Sequence, residues 1–87
     1  MFRLWAKILK DNRLVKDTVI SNESTDTRTH KILQALEDIC IEFDLGKPIW
    51  LEMNSNEFRW QGKTRFYSDS FIEPIDFDYL EIQIIEE

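Results

Sequence analysis

The sequence is poor in the residues that build the commonest catalytic and cofactor sites, with one cysteine, one histidine and two glycines. A single cysteine excludes an internal disulfide and a four-cysteine zinc site, and two isolated glycines form no glycine-rich loop around a phosphate. No apolar run approaches the ~20 residues that span a bilayer. We therefore expect a cytoplasmic protein that is not an enzyme and has no catalytic, cofactor-binding or metal-binding residues.

The apolar residues, by contrast, are sufficient for one compact core. Hydrophobic residues make up 43% of the 87 residues and include three tryptophans and six phenylalanines. Because a chain of this length buries a limited fraction of its surface, nearly every large apolar side chain has to contribute to that core. We predict a single domain covering residues 1–87.

Charge is distributed unevenly along the chain, whose net charge is −6. Residues 1–36 hold seven basic and four acidic side chains, whereas residues 37–87 hold four basic and thirteen acidic ones. Nucleic-acid binding depends on neutralising phosphates. The acidic total therefore makes nucleic acid an unfavoured partner.

The first twenty residues predict a β-hairpin. Residues 2–9 alternate between a set expected to face the core and a set expected to face outward: Phe2, Leu4, Ala6 and Ile8 against Arg3, Trp5, Lys7 and Leu9. Turn formers follow at residues 10–13, and a run rich in β-branched residues at 14–20 supplies the second strand.

Residues 27–44 are predicted to form a long helix. The apolar residues of its buried stripe recur at three- and four-residue steps, as Ile32, Leu36, Ile39 and Phe43. Asp26 is the preferred N-terminal cap. Gly46 fits the left-handed position after a helix end, and Pro48 prevents the helix from continuing.

The segment between residues 49 and 78 is less regular. Residues 49–51 predict a short third strand, with Ile49 and Leu51 on one side and Trp50 on the other. Residues 53–63 fit either one helical turn or an ordered loop. Residues 64–67 favour a short edge strand. Residues 68–78, which Pro74 interrupts, are predicted to form a connection whose apolar side chains pack against the rest of the domain.

Residues 79–85 alternate again, with Leu80, Ile82 and Ile84 inward and Glu81, Gln83 and Ile85 outward. The expected class is α+β, with a single mixed sheet of four to five strands, one long helix on one face and the order ββαβ(β)β. A last strand in the centre of this sheet also brings the basic Arg3 and Lys7 beside Glu81.

This order resembles the β-grasp architecture of ubiquitin-like domains, and the resemblance implies that the first and last strands pair in parallel. It does not extend to conjugation chemistry, because residues 86–87 are glutamates where ubiquitin-like modifiers have two glycines. Residues 4–13 (LWAKILKDNR) and 75–82 (IDFDYLEI) also resemble segments of a small family of bacterial proteins of similar length. That second resemblance implies a bacterial cytoplasmic protein and no particular activity.

The few candidate catalytic or metal-binding residues either lie too far apart to act together or lack the spacing of a known site. His30 lies in the first turn of the predicted helix and Cys40 roughly 15 Å further along its axis, so they cannot form a nucleophile and its base. We interpret His30 as an exposed or capping residue and Cys40 as buried. Asp76 and Asp78 lack the spacing of a calcium loop and are interpreted as part of a solvated acidic connection.

The alternation of side chains along the strands predicts a binding surface on the side of the sheet opposite the helix. If alternate residues face the helix, Trp5 and Trp50 lie about 10 Å apart on this open side, where an exposed aromatic pair is typical of a protein contact. The predicted function is a protein-interaction or regulatory module that binds a protein partner or a second copy through Arg3, Trp5, Lys7, Trp50, Gln83 and Ile85. The alternative is that residues 53–78 fold back over this side and bury both tryptophans.

Residues 58–67 support a second hypothesis, because they interleave cations with aromatic rings. Such a mixture stacks bases while neutralising phosphates. The candidate residues of this nucleic-acid-associated domain are Arg59, Trp60, Lys63, Arg65 and Tyr67. An aromatic-rich loop packed on a small core has the same sequence character, so both interpretations stand at this point.

Overall fold

Four strands form one antiparallel sheet in the computed structural model, which describes residues 1–87. The strands are β1 (Phe2–Lys10), β2 (Arg13–Asn22), β3 (Lys63–Phe66) and β4 (Tyr79–Glu86), and the helices are α1 (Arg28–Phe43) and α2 (Glu52–Gln61). A 3₁₀ turn, Ser68–Ser70, lies in the connection from β3 to β4. The strand order is β2-β1-β4-β3. The predicted α+β class is confirmed, whereas the sheet is antiparallel throughout and not mixed.

The first and last strands are neighbours that run in opposite directions. Since β4 lies between β1 and β3, the prediction of a last strand inside the sheet is confirmed. Leu4 pairs with Ile84 and Ile8 with Leu80, so the pairing is antiparallel. The predicted parallel pairing of the first and last strands, on which the β-grasp expectation depended, is therefore wrong. The chain path explains the direction: the Asp78 N–H donates to the Leu9 carbonyl at 2.9 Å, so β4 begins where β1 ends.

The hairpin between β1 and β2 turns at Asp11 and Asn12, as predicted from their composition. Both residues have positive φ, at 53° and 63°, which is the backbone form that matches the twist of paired strands. The Asp78 carboxylate accepts a hydrogen bond from the Asp11 N–H at 2.9 Å. Asp78 thus attaches the hairpin turn to the start of β4.

The long helix α1 occurs where it was predicted, but both of its ends are capped by other residues than expected. Thr27 is the N-terminal cap, because its hydroxyl accepts a hydrogen bond from the His30 backbone N–H at 3.2 Å. The Asp26 carboxylate instead accepts the Thr27 N–H and contacts the His30 ring. At the other end Asp44, with φ 56°, takes the left-handed position predicted for Gly46.

A second helix, α2, covers most of the segment for which one helical turn or an ordered loop was predicted, so the sheet face carries two helices instead of one. Residues 49–51 form no strand. The fully buried Asn54 side chain accepts a hydrogen bond from the Leu51 N–H at 3.0 Å and donates to Thr64 Oγ1 at 2.9 Å and to the Arg65 carbonyl at 2.8 Å. These bonds attach α2 to the edge strand β3. Neither helix has the length and apolar character needed to cross a membrane.

One hydrophobic core fills the space between the sheet and the helices. The core is formed by the predicted inward residues of β1, the apolar stripe of α1 and one or two residues each from α2, β3 and β4. Its members are Phe2, Leu4, Ala6, Ile8, Ile32, Ala35, Leu36, Ile39, Cys40, Phe43, Phe58, Phe66, Leu80 and Ile82. Phe71 and Phe77 pack against the same core. The connection from β3 to β4 therefore packs Phe71 and Phe77 on the helix side of the sheet and does not bury Trp5 by folding over the opposite side.

Candidate functional site: the open face of the sheet

The side of the sheet opposite the helices, here called the open face, is formed by alternate residues of all four strands. Its members are Arg3, Trp5, Lys7, Leu9, Leu14, Asp17, Val19, Lys63, Arg65, Tyr79, Glu81 and Gln83. Residues opposite each other in a sheet share a face. Because Ile8, Leu80 and Phe66 form one row in the core, the next row of Lys7, Glu81 and Arg65 points away from the core.

Glu81 is the centre of the open face. Lys7 Nζ lies 2.7 Å from Glu81 Oε2, and Arg65 Nε donates to Glu81 Oε1 at 2.8 Å. The predicted charge pairing with Glu81 is therefore confirmed for Lys7, even though the strand direction was not, whereas Arg3 lies beside Glu86 instead. Glu81 is only 5% exposed although no helix lies over it. Its neighbours on the flanking strands bury it.

Burial and hydrogen bonding act on Glu81 in opposite directions. Burial disfavours the charged carboxylate and raises its pKa, whereas the hydrogen bonds and charges of Lys7 and Arg65 lower it. The bonds outweigh burial, so the pKa of Glu81 lies below its ordinary value. The hydrogen bond to Glu81 likewise raises the pKa of Arg65. Glu81 and Arg65 are consequently both charged at neutral pH.

Aromatic rings flank both cations. Lys7 Nζ lies 3.9 Å from the centre of the Trp5 ring, and the Arg65 guanidinium carbon lies 4.6 Å from the centre of the Tyr79 ring. Trp5 Nε1 donates to Asp17 Oδ2 at 2.9 Å, and the ring centres of Tyr67 and Tyr79 are 5.5 Å apart. Each cation is thus held by a carboxylate and an aromatic face together, which restricts its motion.

Most of the residues predicted for this surface lie on it. Trp5 pairs with Gln83 and Lys7 with Glu81 in the same register. Arg3 NH1 lies 3.7 Å from Glu86 Oε1 at the end of the row. Ile85 lies in an irregularity of the β1–β4 pairing, where the register skips it between Ile84 and Glu86, and its side chain is exposed.

Trp50 does not belong to the open face, and the predicted pair with Trp5 is wrong. Its ring packs edge-on against Phe58 and Phe66, with ring centres 5.7 and 5.1 Å apart, on the helix side of the sheet. The prediction failed because it applied strand parity to residues 49–51, which are not a strand. Ile49, expected inward, is half exposed there.

Sequence reasoning missed three residues that complete the site. Asp17 holds the Trp5 indole, Tyr79 covers Arg65, and Tyr67 contacts Tyr79. Parity along residues 79–85 already places Tyr79 on the same side as Glu81, so that signal was available. No local signal identifies Asp17 or Tyr67, because their positions depend on which strands become neighbours.

The five residues of the nucleic-acid hypothesis are divided between two surfaces. Arg59 lines a groove between α1 and α2, and Trp60, 83% exposed, projects from α2. Lys63, Arg65 and Tyr67 instead line a separate cavity together with the acidic Glu57 and Glu81. Arg65 is already paired with Glu81, so these cations form no continuous basic surface of the kind that tracks a phosphate backbone.

The remaining reactive side chains have structural surroundings. His30 Nδ1 lies 2.9 Å from Asp26 Oδ1 on the surface, and this contact lowers the pKa of Asp26. Cys40 is in the core, where burial raises the pKa of its thiol to about 11, so it is a poor nucleophile at neutral pH. No group of three or more histidine, cysteine, aspartate or glutamate side chains is arranged to hold a metal ion.

No protein-family model, curated protein or solved structure matches this chain. Its function is therefore argued from the geometry of its own surface.

Proposed function

We propose that the chain is a protein-interaction module and that a protein partner binds to its open face. The observation that carries this proposal is the fixed arrangement of Trp5, Tyr79, Tyr67 and Arg65 around the buried Glu81 carboxylate. Tryptophan, tyrosine and arginine are the residues that most often dominate the binding energy of protein interfaces. Because these side chains are already ordered, a partner loses less conformational entropy when it binds them.

Exposed apolar side chains around the ion cluster extend the surface. Val19 pairs with Trp5 and Leu14 with Leu9, and both Val19 and Leu14 are exposed. They make the β2 side of the open face apolar, while the β3 side carries Lys63 and Arg65. The combination of an apolar side with a polar side suits a protein contact better than a purely electrostatic one.

The charges of the open face favour a protein partner whose contact surface has acidic residues at its rim. The open face has four cations, Arg3, Lys7, Lys63 and Arg65, and its acids are Asp17, Glu81 and Glu86. Cations therefore outnumber acids on this surface, although the chain as a whole has a net charge of −6. The proposal places the module in a bacterial cytoplasm, consistent with one buried cysteine that forms no disulfide.

The experiment compares Trp5→Ala with Trp60→Ala as baits in affinity capture from the native cytoplasm. Both changes remove a tryptophan, but Trp60 projects from α2 away from the ion cluster. A partner of the open face should be retained by wild type and Trp60→Ala. Trp5→Ala should lose it by at least about tenfold, the effect of ~1.4 kcal/mol in binding. Binding is then measured with the purified partner, and circular dichroism checks that Trp5→Ala is folded.

Three outcomes would contradict the proposal in different ways. Equal retention of every captured protein by Trp5→Ala would exclude the open face as the binding surface. A concentration-dependent dimer that Trp5→Ala abolishes would keep the surface but replace the partner with a second copy of the chain. Retention of single-stranded oligonucleotide that depends on Trp60 and Arg59, and not on Trp5, would favour the nucleic-acid hypothesis instead.

A further inference from the structure

A groove of about 340 Å³ separates the beginning of α1 from α2, on the other side of the molecule from the open face. Its size lies within the range of small-molecule sites. The lining combines apolar side chains with two guanidinium groups and two hydroxyls: Ile32, Leu33, Trp50 and Phe58 with Arg28, Arg59, Thr29 and Ser55. No acidic side chain lines it, although the chain has 17 acidic residues.

The two guanidinium groups of the groove differ in their partners, since Arg28 is paired with Glu87 and Arg59 has no acidic partner. The Arg28 guanidinium carbon lies 5.8 Å from the centre of the Phe58 ring, which orients the group over the apolar floor. Arg28 Nε donates to Glu87 Oε1 at 2.6 Å, so the chain already places a carboxylate on this arginine. The other N–H donors of the guanidinium remain free for a second carboxylate. Arg59 makes no ion pair with any acid.

The floor of the groove is built around Trp50, and its indole also lines an adjacent cavity of about 510 Å³. Trp50 Nε1 is buried and has no hydrogen-bond partner, the one buried side-chain nitrogen or oxygen of which this is true. Leu33 lines both cavities and is half exposed, so the apolar floor continues across them.

We propose that this groove binds a small amphipathic carboxylate, with its hydrocarbon part on Trp50, Phe58 and Leu33 and its carboxylate on Arg28 and Arg59. The apolar floor excludes a ligand that is charged throughout, and the two arginines favour a ligand with one anionic end. Arg59 has no acidic partner, so the groove keeps an uncompensated positive charge that discriminates against cations. The site is separate from the open face and does not depend on the protein partner.

Decanoate is the probe and decanol its uncharged counterpart, both titrated into the whole chain by isothermal calorimetry. Decanoate should bind saturably at one site, and decanol at least about tenfold more weakly. Arg59→Gln should weaken decanoate binding by about tenfold or more, since a hydrogen bond to a charged group contributes about 1.5 to 3 kcal/mol. Arg13→Gln, which removes an exposed arginine at the start of β2, is the matched control and should leave binding unchanged.

The emission of Trp50 gives a second readout of the same event. In a Trp5→Phe, Trp60→Phe background, decanoate should shift that emission with the affinity found by calorimetry. Unsaturable binding, equal affinity for decanol, or full affinity in Arg59→Gln would overturn the proposal. Trp5→Ala should bind decanoate normally. Failure of the groove proposal and failure of the open-face proposal therefore give different results.

Discussion

Leu80 and Glu81 are neighbours on β4, yet they are buried in opposite ways. Leu80 lies between Ile8 and Phe66 under the helices, whereas Glu81 lies between Lys7 and Arg65 on the open face. Both are at most 5% exposed. Leu80 is buried by the helices, which form a second layer over its side of the sheet. Glu81 is buried by long side chains of the sheet itself.

The difference shows how a small sheet can bury a charge without a covering layer. The charged ends of Lys7 and Arg65 meet the Glu81 carboxylate, and long side chains of this kind cover neighbouring surface with their methylene stems. Trp5 and Tyr79 cover the cations. The core side gains its stability from excluded water, whereas the open face gains order from ion pairs that solvent still reaches at Arg65.

Leu80→Ala should produce the largest loss on either face. Leu80 is fully buried, so its truncation leaves a cavity as well as removing apolar contacts. The free energy of unfolding should fall by about 3 to 4 kcal/mol, as measured by urea denaturation followed by circular dichroism. A loss below that expected for Glu81→Gln would show that the helix-covered side is not the main source of stability.

Glu81→Gln should have the next largest effect. It keeps the shape of the side chain but leaves Lys7 and Arg65 without a negative partner. Removing one member of a buried pair costs about 3 to 5 kcal/mol, and we expect about 2 kcal/mol here because Arg65 still reaches solvent. Gln83→Ala, on the same strand and face, is the control and should change stability far less. Equal losses for the two variants would contradict the central role of Glu81.

The stability that Glu81 supplies should depend on pH in a defined direction. Its pKa is lower in the folded than in the unfolded chain, so the unfolded state binds more protons between the two values and stability rises with pH there. The contribution is complete above the ordinary glutamate value of about 4.3 and is lost as the pH falls through the folded pKa. The stability gap between wild type and Glu81→Gln should therefore be constant from pH 7 to about 5 and close below about pH 4. A gap that closes above pH 5 would indicate a raised pKa instead.

Glu86→Gln should have the smallest effect. Glu86 also faces a cation, with Arg3 NH1 at 3.7 Å, but its side chain is 50% exposed. Exposed pairs of this kind contribute about 0 to 1 kcal/mol and weaken in salt. The thermal midpoint should change by no more than about 4 to 8 °C at low salt, the equivalent of ~1 kcal/mol for a chain of this size, and by less at high salt. A salt-independent loss as large as that of Glu81→Gln would remove the distinction between buried and exposed pairs.

The part of the candidate site that lies on regular strands was predictable from the residues. Alternation in residues 2–9 and 79–85 placed Trp5, Lys7, Glu81 and Gln83 on one face, and the structure confirms this placement. Trp50 was misplaced because residues 49–51 alternate for too short a distance to define a strand. For α2 only one helical turn was predicted, as an alternative to a loop, because the attachment of the full helix depends on the Asn54 side chain reaching Thr64 and Arg65 on β3, contacts that no local pattern contains.

By itself, the sequence determined which side chains of the first and last strands face the core and where the long helix lies, because both follow from local periodicity. It did not determine the direction in which those strands pair. Alternation with a period of two is the same whether a strand is read forwards or backwards, so it fits parallel and antiparallel neighbours equally well. Direction was decided only when residues 67–78 returned the chain to the end of β1, where Asp78 bonds to Leu9 and to the hairpin turn at Asp11. That return brought Lys7, Glu81 and Arg65 into one row, whereas Trp50 packs against the core on the helix side of the sheet.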